Sequence, residues 1–365
     1  MRAFLKLFPL AVIGAMLTTL APAGAIGENM SAGAVGETTA AGAAAESMRA
    51  GAAAGQKPPP RCNGFNLLDK LAATDPGLHE RVVSNSANLE NGKAVLWRIE
   101  RPGRPVSHLF GTVHLSDERV TTLSDATTEA LVRANTVIIE NADLSADATA
   151  KAYNAATKTA LFGDGRKLDD LLSKDEFDKV RRAIKSTRAA LRPFRPWVVS
   201  LMLTGSECER RRLSNGQLVL DMQIADRARQ LGIPINGVET TAQQLAALAA
   251  IPDDEQVGIL RSNIALMDEN ENLIETMVQL YLTRRVGALW DLQIALAEKA
   301  GVPATSFASF EQKIIVDRNR RMRDRSLYYL EKGGAFIAVG ALHLPGKTGL
   351  VALLREAGYT LTAIE

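Results

Sequence analysis

Residues 107–114 read Ser-His-Leu-Phe-Gly-Thr-Val-His, and residues 335–343 read Ala-Phe-Ile-Ala-Val-Gly-Ala-Leu-His. Each stretch is an apolar run that closes in Gly-x-x-His, and each is followed by a break, a helical pattern and a second β-like run. Short buried strands that alternate with helices are typical of layered α/β proteins. The glycine before each histidine permits a close approach or an unusual turn of the backbone. We therefore predict two strands of one sheet, with His114 and His343 at their carboxyl ends.

The rest of the pattern predicts an α/β fold with a mixed central sheet flanked by helices. Residues 94–100 alternate as a strand, and the turn at 101–105 leads back into the first histidine run, which predicts an antiparallel hairpin. Further buried strands, separated by apolar residues at helical spacing, are predicted at 136–140, 233–239 and 359–364. We interpret the two Gly-x-x-His units as pseudo-repeats that pair in this sheet and bring both histidines together.

The first 25 residues predict a secretory signal peptide. Arg2 and Lys6 precede an apolar stretch from Leu7 to Leu20, and residues 23–25 provide a small-residue cleavage site. This stretch is shorter than the roughly 20 residues of a comfortable membrane span. A retained N-terminal anchor is the alternative. We expect no stable membrane span after cleavage, and an exported protein that is periplasmic or secreted.

Residues 26–60 predict a disordered linker, because 17 of these 35 residues are Ala or Gly and the segment ends in three prolines. Residues 61–365 are long enough to form one large α/β domain, which we expect to be the folded part. The formal net charge falls from +2 to 0 once the signal peptide is removed. A neutral chain offers no electrostatic basis for nucleic-acid binding, and none is expected.

Cys62 and Cys208 are the two cysteines of the chain. In an oxidising compartment, an even pair of cysteines most simply predicts a disulfide. Two unpaired thiols are the alternative. Neither cysteine has neighbours at zinc-ligand spacing, so metal ligation by either is not expected.

Chemistry is expected where the two histidines meet. Strand ends in α/β sheets open into a crevice, and Glu140 closes the strand that follows the first Gly-x-x-His unit. Two imidazoles and a carboxylate are a common ligand set for a catalytic divalent metal with an open position. We predict His114, Glu140 and His343 as metal ligands or catalytic groups. A purely structural role, as a hydrogen-bonded histidine or an ion-paired or helix-capping carboxylate, is the alternative for each.

Two more charged residues are candidates. Arg318 lies on the helix before the second histidine strand, where a guanidinium can hold a substrate carboxylate or stabilise an oxyanion. A surface arginine is the alternative there. Glu239 closes another predicted strand and is a candidate ligand, general base or helix cap. His79 and His108 lie outside both units and have no predicted role.

These residues resemble the TraB/GumN family. The similar stretches, in the family's order and spacing over about residues 61–365, are Leu109–His114, Val137–Glu140, Gly237–Thr240, Gln243–Leu245, Arg318–Met322 and Ala338–Gly346. The family looks related to the TIKI metalloproteases, and more distantly to erythromycin esterases and haem-binding ChaN proteins.

The resemblance implies an α/β fold of two related halves whose Gly-x-x-His histidines face one another. In the TIKI branch, these histidines and a glutamate accompany metal-dependent peptide cleavage. Carried over to this chain, the resemblance implies His114, Glu140 and His343 as the site, with Arg318 as an accessory residue.

The leading hypothesis is an exported hydrolase that cleaves a peptide or another small acyl substrate with water activated by a divalent metal, either Mn, Co or Zn. One alternative is a metal-free, esterase-like hydrolase in which the same residues act by general acid–base chemistry. Another is a haem- or metal-binding envelope protein without turnover, and a third is an interaction protein that has lost catalysis. Neither the substrate nor the oligomeric state follows from the sequence.

Overall fold

The structure is a computed structural model that describes residues 62–141, 143 and 146–365. The predicted signal peptide and linker, 1–25 and 26–60, lie outside these residues. Within them the chain forms a six-stranded mixed sheet flanked by helices, which confirms the predicted fold class. None of the helices in this part of the chain is both long and apolar enough to cross a bilayer.

The strands are β1 (Leu96–Glu100), β2 (Ser107–Thr112), β3 (Thr136–Asn141), β4 (Ile235–Glu239), β5 (Ala335–Gly340) and β6 (Thr360–Ala363). Their order across the sheet is β4-β3-β5-β2-β1-β6. The first four in that order run parallel, and β1 is antiparallel to both of its neighbours. The β1–β2 pair is the predicted hairpin. Because β4, β3, β5 and β2 are parallel, their carboxyl ends meet at one edge of the sheet.

Helices occupy most of the remaining chain. In order they are α1 (Leu67–Thr74), α2 (Pro76–Ala87), α3 (Glu118–Thr121), α4 (Asp125–Val132), α5 (Ala146–Ala160), α6 (Lys174–Ile184), α7 (Arg188–Leu191), α8 (Pro196–Leu203), α9 (Glu207–Ser214), α10 (Leu220–Gln230), α11 (Thr241–Ala249), α12 (Asp253–Leu266), α13 (Asn270–Leu282), α14 (Gly287–Lys299), α15 (Ala308–Phe310), α16 (Asp317–Leu330) and α17 (Leu350–Glu356). A π-helical segment, Glu311–Val316, leads directly into α16.

The central strands are covered on both faces. Phe336 and Ala338 of β5 enter a core with Leu220 of α10, whereas Ile337 enters a second core with Met322 of α16. Successive residues of a strand point to opposite faces, so a strand buried on both faces has a continuous apolar sequence. This explains why β5, Ala335–Gly340, contains no polar side chain. A third core joins helices that precede β4 in the chain, among them α6 and α8, to α11 and α12, which follow it.

The two histidine strands are neighbours, but their units are not shown to be repeats. β2 pairs in parallel with β5, and Thr112 lies opposite Gly340. After β2 the chain returns to the sheet as β3, on the other side of β5, whereas after β5 it returns as β6, beyond β1. The pairing of the strands is confirmed, and the pseudo-repeat interpretation is not.

Cys62 and Cys208 form a disulfide, with their Cα atoms 5.6 Å apart, which confirms the predicted pairing. Cys208 lies in α9. The bond therefore attaches the start of the described chain to a helix 146 residues further on.

Candidate functional site

The candidate residues gather at the carboxyl edge of the parallel strands. His114 follows β2 by two residues, and His343 ends a short 3₁₀ turn directly after β5. Glu140 is the penultimate residue of β3, and Glu239 is the last residue of β4. Because β5 lies between β2 and β3, the strand that carries His343 separates the strands that carry His114 and Glu140.

At both glycines of the Gly-x-x-His units, neighbouring atoms lie so close to the backbone that a larger residue would meet them. A Cβ on Gly111 would lie 3.0 Å from the Cβ of Ala341 and from Cδ2 of Leu344. A Cβ on Gly340 would lie 3.0 Å from Oε1 of Glu140. The φ angle of Gly340 is −52°, which any residue can adopt, so no unusual turn is involved. The absence of a side chain instead lets Ala341 and Leu344 pack against Gly111, and lets the Glu140 carboxylate lie against Gly340.

Glu140 is a buried, fully engaged carboxylate. Its Oε1 accepts a hydrogen bond of 2.5 Å from the N–H of Gly340 and lies 3.7 Å from Nε2 of His343. Its Oε2 accepts hydrogen bonds from Nη2 of Arg318 at 2.7 Å and from Nε2 of Gln244 at 3.4 Å. Burial by itself raises the pKa of Glu140, but the Arg318 charge, the imidazoles and the Gly340 N–H lower it well below the usual range. Glu140 is therefore ionised at neutral pH.

Arg318 is directed at the protein's own carboxylates. It is only 5% exposed, so the alternative of a surface arginine is wrong. In addition to its hydrogen bond with Glu140, Arg318 donates one from Nε to Oε2 of Glu239 at 2.8 Å. Burial opposes its charge, but the two carboxylates raise the pKa of Arg318 above its ordinary value. In this structure the guanidinium of Arg318 binds the carboxylates of both Glu140 and Glu239.

Glu239 is also buried and paired on both oxygens. Its Oε1 accepts a hydrogen bond of 2.6 Å from Nη1 of Arg321, and Arg318 binds its Oε2. The helix that follows begins at Thr241 and is capped by Thr240, whose hydroxyl accepts from the N–H of Gln243. Glu239 is therefore not the helix cap. Its carboxylate lies between the guanidinium groups of Arg318 and Arg321, with a hydrogen bond to each.

His114 is held by a carboxylate from α10. Its Nδ1 lies 2.8 Å from Oδ2 of Asp221, and Oδ1 of Asp221 accepts a hydrogen bond from the Thr112 hydroxyl. Burial by itself lowers the pKa of His114, but the Asp221 and Glu140 carboxylates raise it to about 9. The side chain is 32% exposed, so the ring reaches the surface of the edge. Nε2 is the ring nitrogen left for an external partner.

His343 is buried, and Asn319 sets its tautomer. Nδ2 of Asn319 donates to the carbonyl of Thr348 at 2.8 Å, so its Oδ1 faces Nδ1 of His343 at 2.6 Å and accepts the Nδ1 proton. Burial, followed by the positive charge of Arg318, lowers the pKa of His343 to about 3 against the opposing effect of Glu140. His343 is therefore a neutral imidazole whose Nε2 carries the lone pair.

The donor set fits a divalent cation in chemical type. Both Nδ1 atoms face oxygen acceptors, on Asp221 and Asn319, as metal-ligating histidines usually do. The 3.7 Å between Nε2 of His343 and Oε1 of Glu140 is near the separation of two ligands on one zinc ion, about 3.3 Å for bonds of about 2.0 Å. These two side chains and His114 are the ones that would hold an ion.

His114 is not drawn into a tight three-ligand cluster. A site with three protein ligands needs three ligand atoms of His, Cys, Asp or Glu close together. Among the described residues, the one group whose ligand atoms all lie within 4.8 Å of one another is Cys62, Cys208 and Glu271. Binding one ion with all three predicted ligands therefore requires His114 to move closer. The cysteine group is not a metal site, because both sulfur atoms are in the disulfide and offer no thiolate.

Sequence reasoning did not single out Asp221, Asn319 or Gln244 as site residues. Asp221 lies 107 residues after His114, in a helix without a local motif. Asn319 and Gln244 lie in stretches that resemble the TraB/GumN family, and that resemblance was the available signal. Their roles depend on contacts that no local spacing encodes.

A cavity of about 520 Å³ lies away from this edge, between α2, α14 and the segment 304–311. Trp290 and Phe307 form part of its wall, and neither predicted ligand histidine lines it. The candidate site is therefore defined by side-chain geometry at the strand ends and not by cavity size.

The chain is similar to known proteins over most of its length. The TraB/PrgY/gumN family model matches residues 95–363, which include all six strands and every candidate residue of the sheet edge. The uncharacterized protein YbaP of Shigella flexneri and that of Escherichia coli (strain K12) are each 24% identical over 262 residues, which is 70% of this chain and 90% of each relative. Metalloprotease TIKI2 of Danio rerio is 23% identical over 342 residues, or 79% of this chain and 64% of the relative. No solved structure matches the chain significantly.

Proposed function

Because this chain belongs to the TraB/PrgY/gumN family, we propose that its carboxyl sheet edge is the active site of a divalent-metal-dependent hydrolase that cleaves a peptide or another acyl bond. One observation carries the proposal. His114 and His343 each have Nδ1 bound to an oxygen acceptor, which makes Nε2 the nitrogen for a ligand, and Nε2 of His343 lies 3.7 Å from the ionised Glu140. The similarity to a protein named as a metalloprotease supports peptide cleavage as the reaction class.

His114, His343 and Glu140 would hold the ion, which supplies a Lewis acid that polarises a carbonyl and lowers the pKa of bound water. Asp221 and Asn319 orient the two imidazoles. His114 is the most exposed of the three candidate ligands, so a substrate approaches from its side of the edge. Because the pKa of His114 without an ion is about 9, this residue has to lose its Nε2 proton before it can act as a ligand at neutral pH.

Arg318 acts on the site through Glu140. Its charge keeps Glu140 ionised, and its hydrogen bonds hold that carboxylate beside the Gly340 N–H. Glu239 accepts a hydrogen bond from Nε of Arg318, so the buried guanidinium is paired with two carboxylates. We propose that Arg318 positions Glu140, in place of the oxyanion or substrate role that the sequence alone suggested.

Export is part of the proposal. The disulfide between Cys62 and Cys208 is typical of proteins from oxidising compartments. The signal-peptide pattern of residues 1–25 supports the same placement. The protein would then act on a peptide or small acyl substrate in the periplasm or outside the cell.

A metal-free hydrolase is the second candidate, because Asp221 and His114 form a carboxylate–imidazole pair. Such a pair orients a histidine for general acid–base catalysis. Activity that survives exhaustive chelation would favour this candidate. Activity that is lost and then restored by Mn, Co or Zn would favour the metal-dependent one.

The test compares the wild-type protein with His114→Ala and His343→Ala variants, with His79→Ala as the matched control. Bound metal is measured by mass spectrometry, and hydrolysis is measured on peptide and ester panels with each metal. We expect metal and activity to be lost in both site variants and retained in the control. Full activity in both site variants would exclude the proposal. A Soret band after haemin addition, absent in the variants, would instead indicate a haem binder.

A further inference from the structure

The turn that follows His114 is held by helix α9. The N–H of Ser116 donates a hydrogen bond of 2.6 Å to Oε1 of Glu209. Oδ2 of Asp117 accepts a hydrogen bond of 2.8 Å from Nη1 of Arg212. Glu209 and Arg212 are each only 6% exposed. Helix α9 therefore binds the residues two and three positions beyond the histidine.

The start of α10 also binds this turn. The N–H of Leu220 donates to the carbonyl of Leu115 at 3.1 Å, and Asp221 binds the His114 ring itself. The short segment 215–219 joins α9 to α10. One continuous stretch, residues 207–221, thus supplies the contacts of both helices to the turn.

The position of α9 is itself constrained. Cys208, the neighbour of Glu209, is covalently attached to Cys62. The N–H of Cys208 also donates to Oε1 of Glu271 on α13, at 3.0 Å. A helix anchored in this way can transmit a fixed geometry to the turn.

Glu209 and Arg212 are costly groups to bury for stability alone. Burial raises the pKa of Glu209, with the Ser116 contacts and the Arg212 charge opposing that rise. Its Oε2 has no hydrogen-bond partner among the described residues and lies 3.7 Å from Nη1 of Arg212. Buried ion pairs of this kind often contribute less stability than apolar residues of similar size. Their specific effect here is on the position of the turn.

We propose that Glu209 and Arg212 are positioning residues for His114, which fix the turn at 115–117 and so hold the imidazole against Asp221. The catalytic relevance of this inference rests on the proposed function, because it assumes that the position of His114 affects the reaction. The placement itself is measured without metal or substrate. The two ideas can therefore fail separately.

The test uses nuclear magnetic resonance of the metal-free full chain labelled at histidine Cε1. The sequence contains four histidines, so four resonances are expected, from His79, His108, His114 and His343. His114→Ala identifies the relevant resonance. We expect Glu209→Leu to shift it by more than its linewidth, because the Ser116 N–H loses its acceptor. Glu209→Gln keeps an acceptor oxygen, so its resonance should return toward the wild-type position.

Glu207→Leu is the matched control, because Glu207 is exposed on the same helix and should leave all four resonances in place. Arg212→Gln supplies an independent variant if Glu209→Leu does not fold, and it should also shift the His114 resonance. An unchanged His114 resonance in these variants overturns the inference. So does a shift of His343 as large as that of His114, which would indicate general loosening. Absence of hydrolysis by the wild type would count against the proposed function alone.

Discussion

The backbone N–H of Gly340 and the carboxylate of Glu140 are joined by a 2.5 Å hydrogen bond across two neighbouring parallel strands. The bond forms where β5 ends and the turn to His343 begins. It places Oε1 of Glu140 on the His343 side while Arg318 holds the other oxygen. The second Gly-x-x-His unit is thereby tied to the acidic residue of a different strand.

Gly340→Ala should destabilise the protein and weaken the site. The added Cβ would lie 3.0 Å from Oε1 of Glu140, so the carboxylate has to shift. We expect a loss of about 1–3 kcal/mol in the free energy of unfolding, as for other overpacked interiors. Urea denaturation measures it. Gly163→Ala is the control, because a Cβ there meets nothing within 4 Å. Equal stability of the two variants would contradict the prediction.

Arg318→Met should be among the most destabilising single substitutions at this edge. It removes the arginine partner of Glu140 and one of the two arginine partners of Glu239, and both carboxylates are buried. Leaving a buried charge unpaired costs about 3–5 kcal/mol. Chemical denaturation should show this loss, whereas Arg320→Met, at a side chain 58% exposed, should change stability by about 0.5 kcal/mol or less. A loss below about 1 kcal/mol for Arg318→Met would show that Glu140 finds another partner.

The metal-free protein should show a His114 resonance that titrates near pH 9. The pKa is raised from its ordinary value of 6.5 to about 9, so the His114–Asp221 pair contributes its full stability below pH 6.5. That contribution should be lost as the pH rises through about 9. In Asp221→Asn the midpoint should fall, because burial then acts with less opposition. The stability difference between this variant and the wild type should shrink over the same pH range.

The His343 resonance provides an internal reference for that titration. Its pKa is lowered to about 3, so it should not titrate between pH 5 and 9. A His114 midpoint close to 6.5 would contradict the ion pair with Asp221. A His343 midpoint in the same range would contradict the buried neutral imidazole.

Asn319→Leu should weaken metal binding without removing a ligand. The Nδ1–H of His343 loses its acceptor, so the ring is no longer held in one orientation. Such partners of metal-bound histidines typically contribute 10–100-fold in affinity. Calorimetric titration with Co²⁺ measures the effect, and Asn319→Asp, which keeps an acceptor oxygen, should bind more tightly than the leucine variant. An unchanged dissociation constant in Asn319→Leu would exclude this role.

Removal of the disulfide should cost substantial stability. The bond closes a loop of 146 residues, for which the chain-entropy model predicts about 4–5 kcal/mol. The double variant Cys62→Ser/Cys208→Ser should unfold at lower urea concentration than the wild type. Reductant should destabilise the wild type and leave the double variant unchanged. A double variant as stable as the wild type would show that noncovalent contacts alone hold α9.

Much of the fold was predictable because it depends on neighbouring residues. The β1–β2 hairpin and the buried strands follow from apolar runs and turns that are local in the chain. The pairing of β2 with β5 joins distant segments, and its signal was the Gly-x-x-His pattern that both strands share. The repeat relation between the two units was not confirmed, because the path of a chain between strands depends on how distant helices pack. The disulfide was predictable because the chain contains just two cysteines.

Strand periodicity alone predicted that His114, Glu140 and His343 end strands or lie within a few residues of a strand end. The contacts of these side chains depend on tertiary packing. Asp221 lies 107 residues from His114, and Arg318 lies 178 residues from Glu140. Such hydrogen bonds require positions accurate to a fraction of an ångström, which are set by the packing of α10 and α16 against the sheet. No pattern of adjacent residues encodes that packing.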